Sequence, residues 1–115
     1  MGSVEEALHQ ARISHLDRLM RLERAAFAAK LRAARAVLGI SQDELAHHVG
    51  LTQKSIHRIE NGDVQPKART IRIIEQFWDQ RGISFEDLSN GGFRLVIESS
   101  VLATLTDPPS HSAQN

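Results

Sequence analysis

The sequence predicts a mainly α-helical protein that closes with a β-hairpin. Three observations carry that reading. From Val4 to Leu38 there is neither proline nor glycine, and apolar residues recur at helical spacing. Residues 41–62 are punctuated by Ser41, Gly50, Thr52 and Asn61-Gly62, which cut them into two short helices. After Gly82 the texture switches to "ISFEDL" and "FRLVI", β-branched and aromatic runs flanking "SNGG".

Within the first stretch, alanine, leucine, arginine and glutamate give high helix propensity. Ile13, Leu16, Met20 and Phe27, with Leu8, Leu19 and Leu22 beside them, fit either two helices (about 4–22 and 24–38) or one long one. Gly39 ends it, as a residue free to take positive φ. Ser41-Gln42-Asp43-Glu44 spells a capping box. Leu45, Ala46 and Val49 then face inward, and Ala46 and Gly50 are small enough to let two helices cross closely. Thr52 caps a second helix anchored by Ile56 and Ile59. A further helix runs from about Lys67 to Gln80, with Ile71, Ile74, Phe77 and Trp78 on one side as core. A two-residue Asn90-Gly91 turn would set Asp87 opposite Arg94 and Phe85 opposite Val96, and Gly92 permits a bulged register instead. Glu86 and Asp87 protect the strand edge. "TDPPSHSAQN" has turn formers and no periodicity, and 99–115 reads as a disordered tail.

At 115 residues the chain is one domain with appendages. It contains no cysteine, so it has neither disulfides nor thiolate metal sites, which fits a reducing, cytoplasmic setting. No apolar run approaches the roughly 18 residues of a membrane span, and the N-terminus lacks the apolar block of a signal peptide. Basic and acidic residues balance at 14 each. Their distribution is uneven, because residues 31–72 hold seven basic and four acidic groups while residues 73–115 hold two and six. A basic middle suits phosphate, since attraction depends on the local face and not on the total.

With Ile56 and Ile59 committed to the core, Gln53, Lys54, Ser55, His57 and Arg58 are left for solvent or a ligand. Glutamine can bond adenine bidentately, arginine and lysine suit guanine, and Ser or Thr suits base edges or phosphate. A helix entering the major groove reads bases from its N-terminal residues, here Thr52-Gln53-Lys54-Ser55. His57 is either a phosphate contact when protonated or a plain exposed histidine. His47 and His48 are neighbours on a helix, about 100° apart, and do not share a metal. No nucleophile–base–orienter set, phosphate-cradling glycine loop or acid pair is present, so neither catalysis, a metal nor a cofactor is expected.

From about Leu31 to Ile83 the sequence resembles the Cro/repressor-type (Xre-like) helix-turn-helix family. The resemblance is carried by "LRAARAVLGISQDELAHHVGLTQKSIHRIENGDVQP" and the following "KARTIRIIEQF". It implies a five-helix, lambda-repressor-like helix-turn-helix domain with an N-terminal helical extension and a C-terminal β-hairpin. The divisions expected are 1–23 for the extension, 24–82 for the DNA-binding domain, 83–98 for the hairpin and 99–115 for the tail. By position, Gln42 would bond a phosphate, Gln53 and Lys54 would read base edges, and Ser55 and Arg58 would touch bases or backbone. Asn61 and the loop after it would meet phosphate through backbone N–H groups. Arg35 and Glu60 occupy the places of a structural ion pair. Asp63 departs from the pattern, standing where a basic or neutral residue suits phosphate better.

The function implied is a sequence-specific transcriptional regulator, a homodimer on a two-fold-related operator of double-stranded DNA. Either the N-terminal helix or the hairpin could hold the dimer. The hairpin's free edge favours it, with Phe85, Phe93, Leu95 and Ile97 as the apolar contribution. The alternative is a protein-interaction regulator of the same fold, an antiactivator or the antitoxin of a toxin–antitoxin pair, whose partner is a second regulatory protein or a toxin.

Overall fold

A computed structural model describes residues 2–106. Five helices and one two-stranded antiparallel sheet are present among the described residues, the fifth helix following the hairpin.

Helix α1, Val4–Leu38, is continuous through 35 residues. Nothing between residues 22 and 24 interrupts its backbone hydrogen bonding, so the two-helix alternative falls away. Ser3 caps its start by accepting from the Glu6 N–H, with Glu5 and Glu6 in the positive first turn. At its end Gly39 (φ 68°) donates to the Ala36 carbonyl and Ile40 to that of Arg35, the paired bonds of a Schellman stop. Only the C-terminal half packs on the domain, burying Ala28, Leu31 and Ala34. Residues 4–22 are all exposed, among them Leu8, Ile13, Leu16, Leu19, Met20 and Leu22.

Helices α2 (Gln42–Val49), α3 (Gln53–Glu60) and α4 (Ala68–Gln80) close the core around Leu31. Both bonds of the capping box are made at α2: Glu44 N–H to Ser41 Oγ at 3.0 Å and Ser41 N–H to Glu44 Oε1 at 2.8 Å. These bonds hold the Glu44 carboxyl below the usual carboxylate range. Leu45, Ala46, Val49, Ile56, Ile59, Ile74, Phe77 and Trp78 are buried together. Gly50 is there for its backbone and not for space. Its φ is 72°, and a Cβ on it would meet nothing within 4 Å. Of the small pair expected to set the crossing, Ala46 alone lies in the contact.

Strands β1 (Ile83–Asp87) and β2 (Phe93–Ile97) pair Phe85 with Leu95, Glu86 with Arg94 and Asp87 with Phe93. The register is thus one residue away from the Asn-Gly two-residue reading. The Gly91 N–H closes a turn on the Leu88 carbonyl at 3.1 Å, Gly91 takes φ 91°, and the Leu88 N–H bonds the Gly92 carbonyl. This is a three-residue loop with a bulge, stabilised by Asn90 Oδ1 accepting from the Gly92 N–H. Glu86, not Asp87, therefore meets Arg94, and Asp87 reaches Lys30 at 2.9 Å. Phe85 sits edge-on between Trp78 and Phe93, with the Lys30 ammonium over the Phe85 and Phe93 rings.

Residues 99–106, expected without order, form helix α5 (Ser99–Thr106). Val101 is its buried residue, seated over Gly82. The tail from 107 to 115 lies outside the described residues.

Candidate nucleic-acid interface

Helix α3 has two unlike sides. Ile56, Ile59 and Glu60 are buried, while Gln53, Lys54, His57 and Arg58 are exposed. The helical period explains the split, since residues 56, 59 and 60 fall on one face and 54, 57, 58 and 61 on the other. Thr52 and Ser55 belong to the cap: Thr52 Oγ1 accepts from the Ser55 N–H at 3.0 Å and donates to Ser55 Oγ at 2.9 Å. Ser55 is half-buried, so this pair shapes the start of α3 and gives less to the open face.

Beneath that face lies a polar network centred on Glu60, the one buried charged residue among those described. Arg35 meets it with a fork, Nε to Oε2 at 2.7 Å and Nη2 to Oε1 at 3.0 Å, and gives Nη1 to the Ile40 carbonyl at 2.8 Å. The hydrogen bond with Glu60 outweighs burial and raises the Arg35 pKa above its ordinary value, keeping the guanidinium charged. Arg32 Nη1 donates to the Glu60 carbonyl, tying α1 to the end of α3. Gln42 Nε2 donates to Glu60 Oε1 at 3.0 Å, and Gln42 Oε1 accepts from Gln53 Nε2 at 2.7 Å. Gln42 thus joins the network as well as standing at the start of α2.

The turn after α3 differs from the reading that its backbone is free for phosphate. The N–H groups of Asn61, Gly62 and Asp63 bond the carbonyls of His57, Ile59 and Arg58. These three N–H groups are therefore not free to meet an anion. Asn61 is exposed, with its amide 3.1 Å from His57 Nε2. Sequence reasoning counted Arg32 only within the basic middle and passed over Arg21 and Arg24; all three line the cleft beside Asn61 and Gly62. Their helical spacing, one face of α1 continued toward its N-terminus, is the signal that was available.

The apolar side chains assigned to dimerisation lie on the inner face of the hairpin. Phe85, Phe93, Leu95 and Ile97 are half-buried, and Phe85 and Leu95 pack against the helical core. No helix among the described residues is long and apolar enough to cross a membrane.

Compared with known proteins, residues 26–76 match a family model described as "Helix-turn-helix domain". The match runs from within α1 almost to the end of α4, taking in the Arg35–Glu60 pair and the whole of α2 and α3. Over this segment, a little under half of the chain, the sequence is similar to helix-turn-helix domains.

Proposed function

We propose that the protein is a sequence-specific DNA-binding transcriptional regulator of the Cro/repressor type, acting as a homodimer on a two-fold-related operator. The observation that carries it is the exposed set Gln53, Lys54, His57 and Arg58 on α3, held above buried Ile56 and Ile59 inside a matched helix-turn-helix segment. In this reading Gln53 and Lys54 meet base edges in the major groove, and Arg58 and His57 meet the edges or the flanking backbone. The test is binding to a duplex from upstream of its own gene and to an unrelated duplex. Gln53→Ala with Lys54→Ala costs about 1–3 kcal/mol of discrimination per lost base contact. Equal preference in variant and wild type overturns the assignment.

A second reading, a protein-interaction regulator such as an antiactivator or antitoxin, is favoured by two observations. The free half of α1 exposes more large apolar side chains than any other element, and Asp63 stands exposed at the loop after α3. A co-transcribed neighbour that co-purifies through α1, in a protein that retains no DNA preference, would favour this reading.

A further inference from the structure

The exposed ridge of α3, Lys54, His57 and Asn61 at helical spacing, leads directly into a cleft of about 300 Å³. Arg21, Arg24, Ala25, Ala28 and Arg32 of α1 form one wall, and Asn61 and Gly62 form the other. Ala25 and Ala28 make the α1 wall low, and three arginines line the cleft beside them. Arg32 is oriented by its bond to the Glu60 carbonyl. Arg21 is oriented by Asp17 one turn earlier, an exposed i,i+4 pair that leaves most of the guanidinium's donors in water. Arg24 has no carboxylate within ion-pair distance among the described residues. Among the described residues no carboxylate lines the cleft, Asp17 coming near it only through its pair with Arg21, and the backbone N–H groups of 61–63 are already spent.

We infer that this cleft binds a DNA phosphodiester flanking the bases met by α3, with Arg21, Arg24 and Arg32 as donors. The inference rests on the DNA-binding reading and extends it. Arg21 and Arg24 precede the matched segment 26–76, so the long helix brings contacts of its own beyond the helix-turn-helix unit. Arginine suits the task because its planar fork meets phosphate bidentately. These contacts position the protein and carry no sequence information.

The test is a salt titration of affinity on the upstream duplex and on an unrelated duplex of equal length. The variants are Arg21→Gln/Arg24→Gln, the charge-preserving Arg21→Lys/Arg24→Lys, and Arg12→Gln/Arg18→Gln, which removes the same charge from α1 outside the cleft. Each lost phosphate contact reduces the slope of log K against log salt by about 0.9. The Arg21→Gln/Arg24→Gln protein therefore shows a slope smaller by about 1–2, with affinity falling by the same factor on both duplexes. The lysine variant keeps most of the slope, and the Arg12/Arg18 variant leaves it unchanged. An unchanged slope in the Arg21/Arg24 variant overturns the cleft, as does an equal fall in the Arg12/Arg18 variant. In either case intact preference for the upstream duplex leaves the DNA-binding reading standing. Absence of wild-type binding to both duplexes overturns the two together.

Discussion

Glu60 is 2% exposed and accepts hydrogen bonds only, and that fixes the polarity of every group connected to it. Gln42 must turn its NH₂ toward the carboxylate, which points its carbonyl at Gln53. Gln53 must then return one N–H, leaving its carbonyl and second N–H for the open face. That remaining donor–acceptor couple is the one adenine requires in the major groove. The Arg35–Glu60 pair itself was legible through family resemblance. The chain from Glu60 to Gln53 was not, because sequence spacing does not say which way an amide turns. Arg35→Met leaves a buried carboxylate with one amide partner, and denaturant unfolding is expected to show a loss of about 3 kcal/mol. Adding Glu60→Leu removes the stranded charge and restores most of that stability. A double variant no more stable than the single one would mean the fork is not what holds this region.

Elements were legible wherever a local stop or cap decided them. Ser41 with Glu44, Gly50, Thr52 and Gly39 act within one helical turn, so α2 and α3 and the end of α1 could be read directly. The hairpin register could not, since Asn90-Gly91-Gly92 accommodates both a two-residue turn and a bulged loop. The choice falls to packing, which turns Phe85 and Leu95 together onto the core. Helix α5 was invisible for a related reason. "SSVLATLT" has too few residues to hold a helix alone, and its site is made by tertiary contact. Gly82 is central to that site: φ is 81°, a Cβ would fall 2.6 Å from Val101 Cγ2, and its carbonyl accepts from the Glu98 N–H at 2.8 Å. Gly82→Ala is expected to cost roughly 2 kcal/mol and to release α5, read as faster amide exchange over 99–106 with α2 and α3 still protected. Gly91→Ala, with positive φ but open space, serves as the milder comparison. Equal exchange in α5 for both variants would remove Gly82 from this role.

At the scale of the molecule, the free half of α1 is the feature most in need of a partner. Residues 4–22 are exposed throughout, and Leu8, Ile13, Leu16, Leu19, Met20 and Leu22 leave apolar surface in water. Its apolar spacing was plain in the sequence, but its separation from the core was not, because a stripe looks the same whichever surface covers it. Within the proposed dimer, this half of α1 would offer more exposed apolar surface than the hairpin, whose aromatic side chains are turned onto Trp78 and Lys30. Leu8→Glu with Leu16→Glu and Leu19→Glu is expected to halve the mass in solution while leaving domain folding intact. A persisting dimer would return the interface to the strand edges. One helix thus carries the exposed apolar stripe, the arginine cleft and the Arg35 fork on a single unbroken rod of 35 residues. No hinge stands between the end that would grip a second copy and the end that braces α3. Adding one residue between them turns one end against the other by about 100° and lengthens the rod by about 1.5 Å, whereas adding seven nearly restores the phase. Operator spacing in such a dimer is therefore a property of helical phase, written in the length of α1.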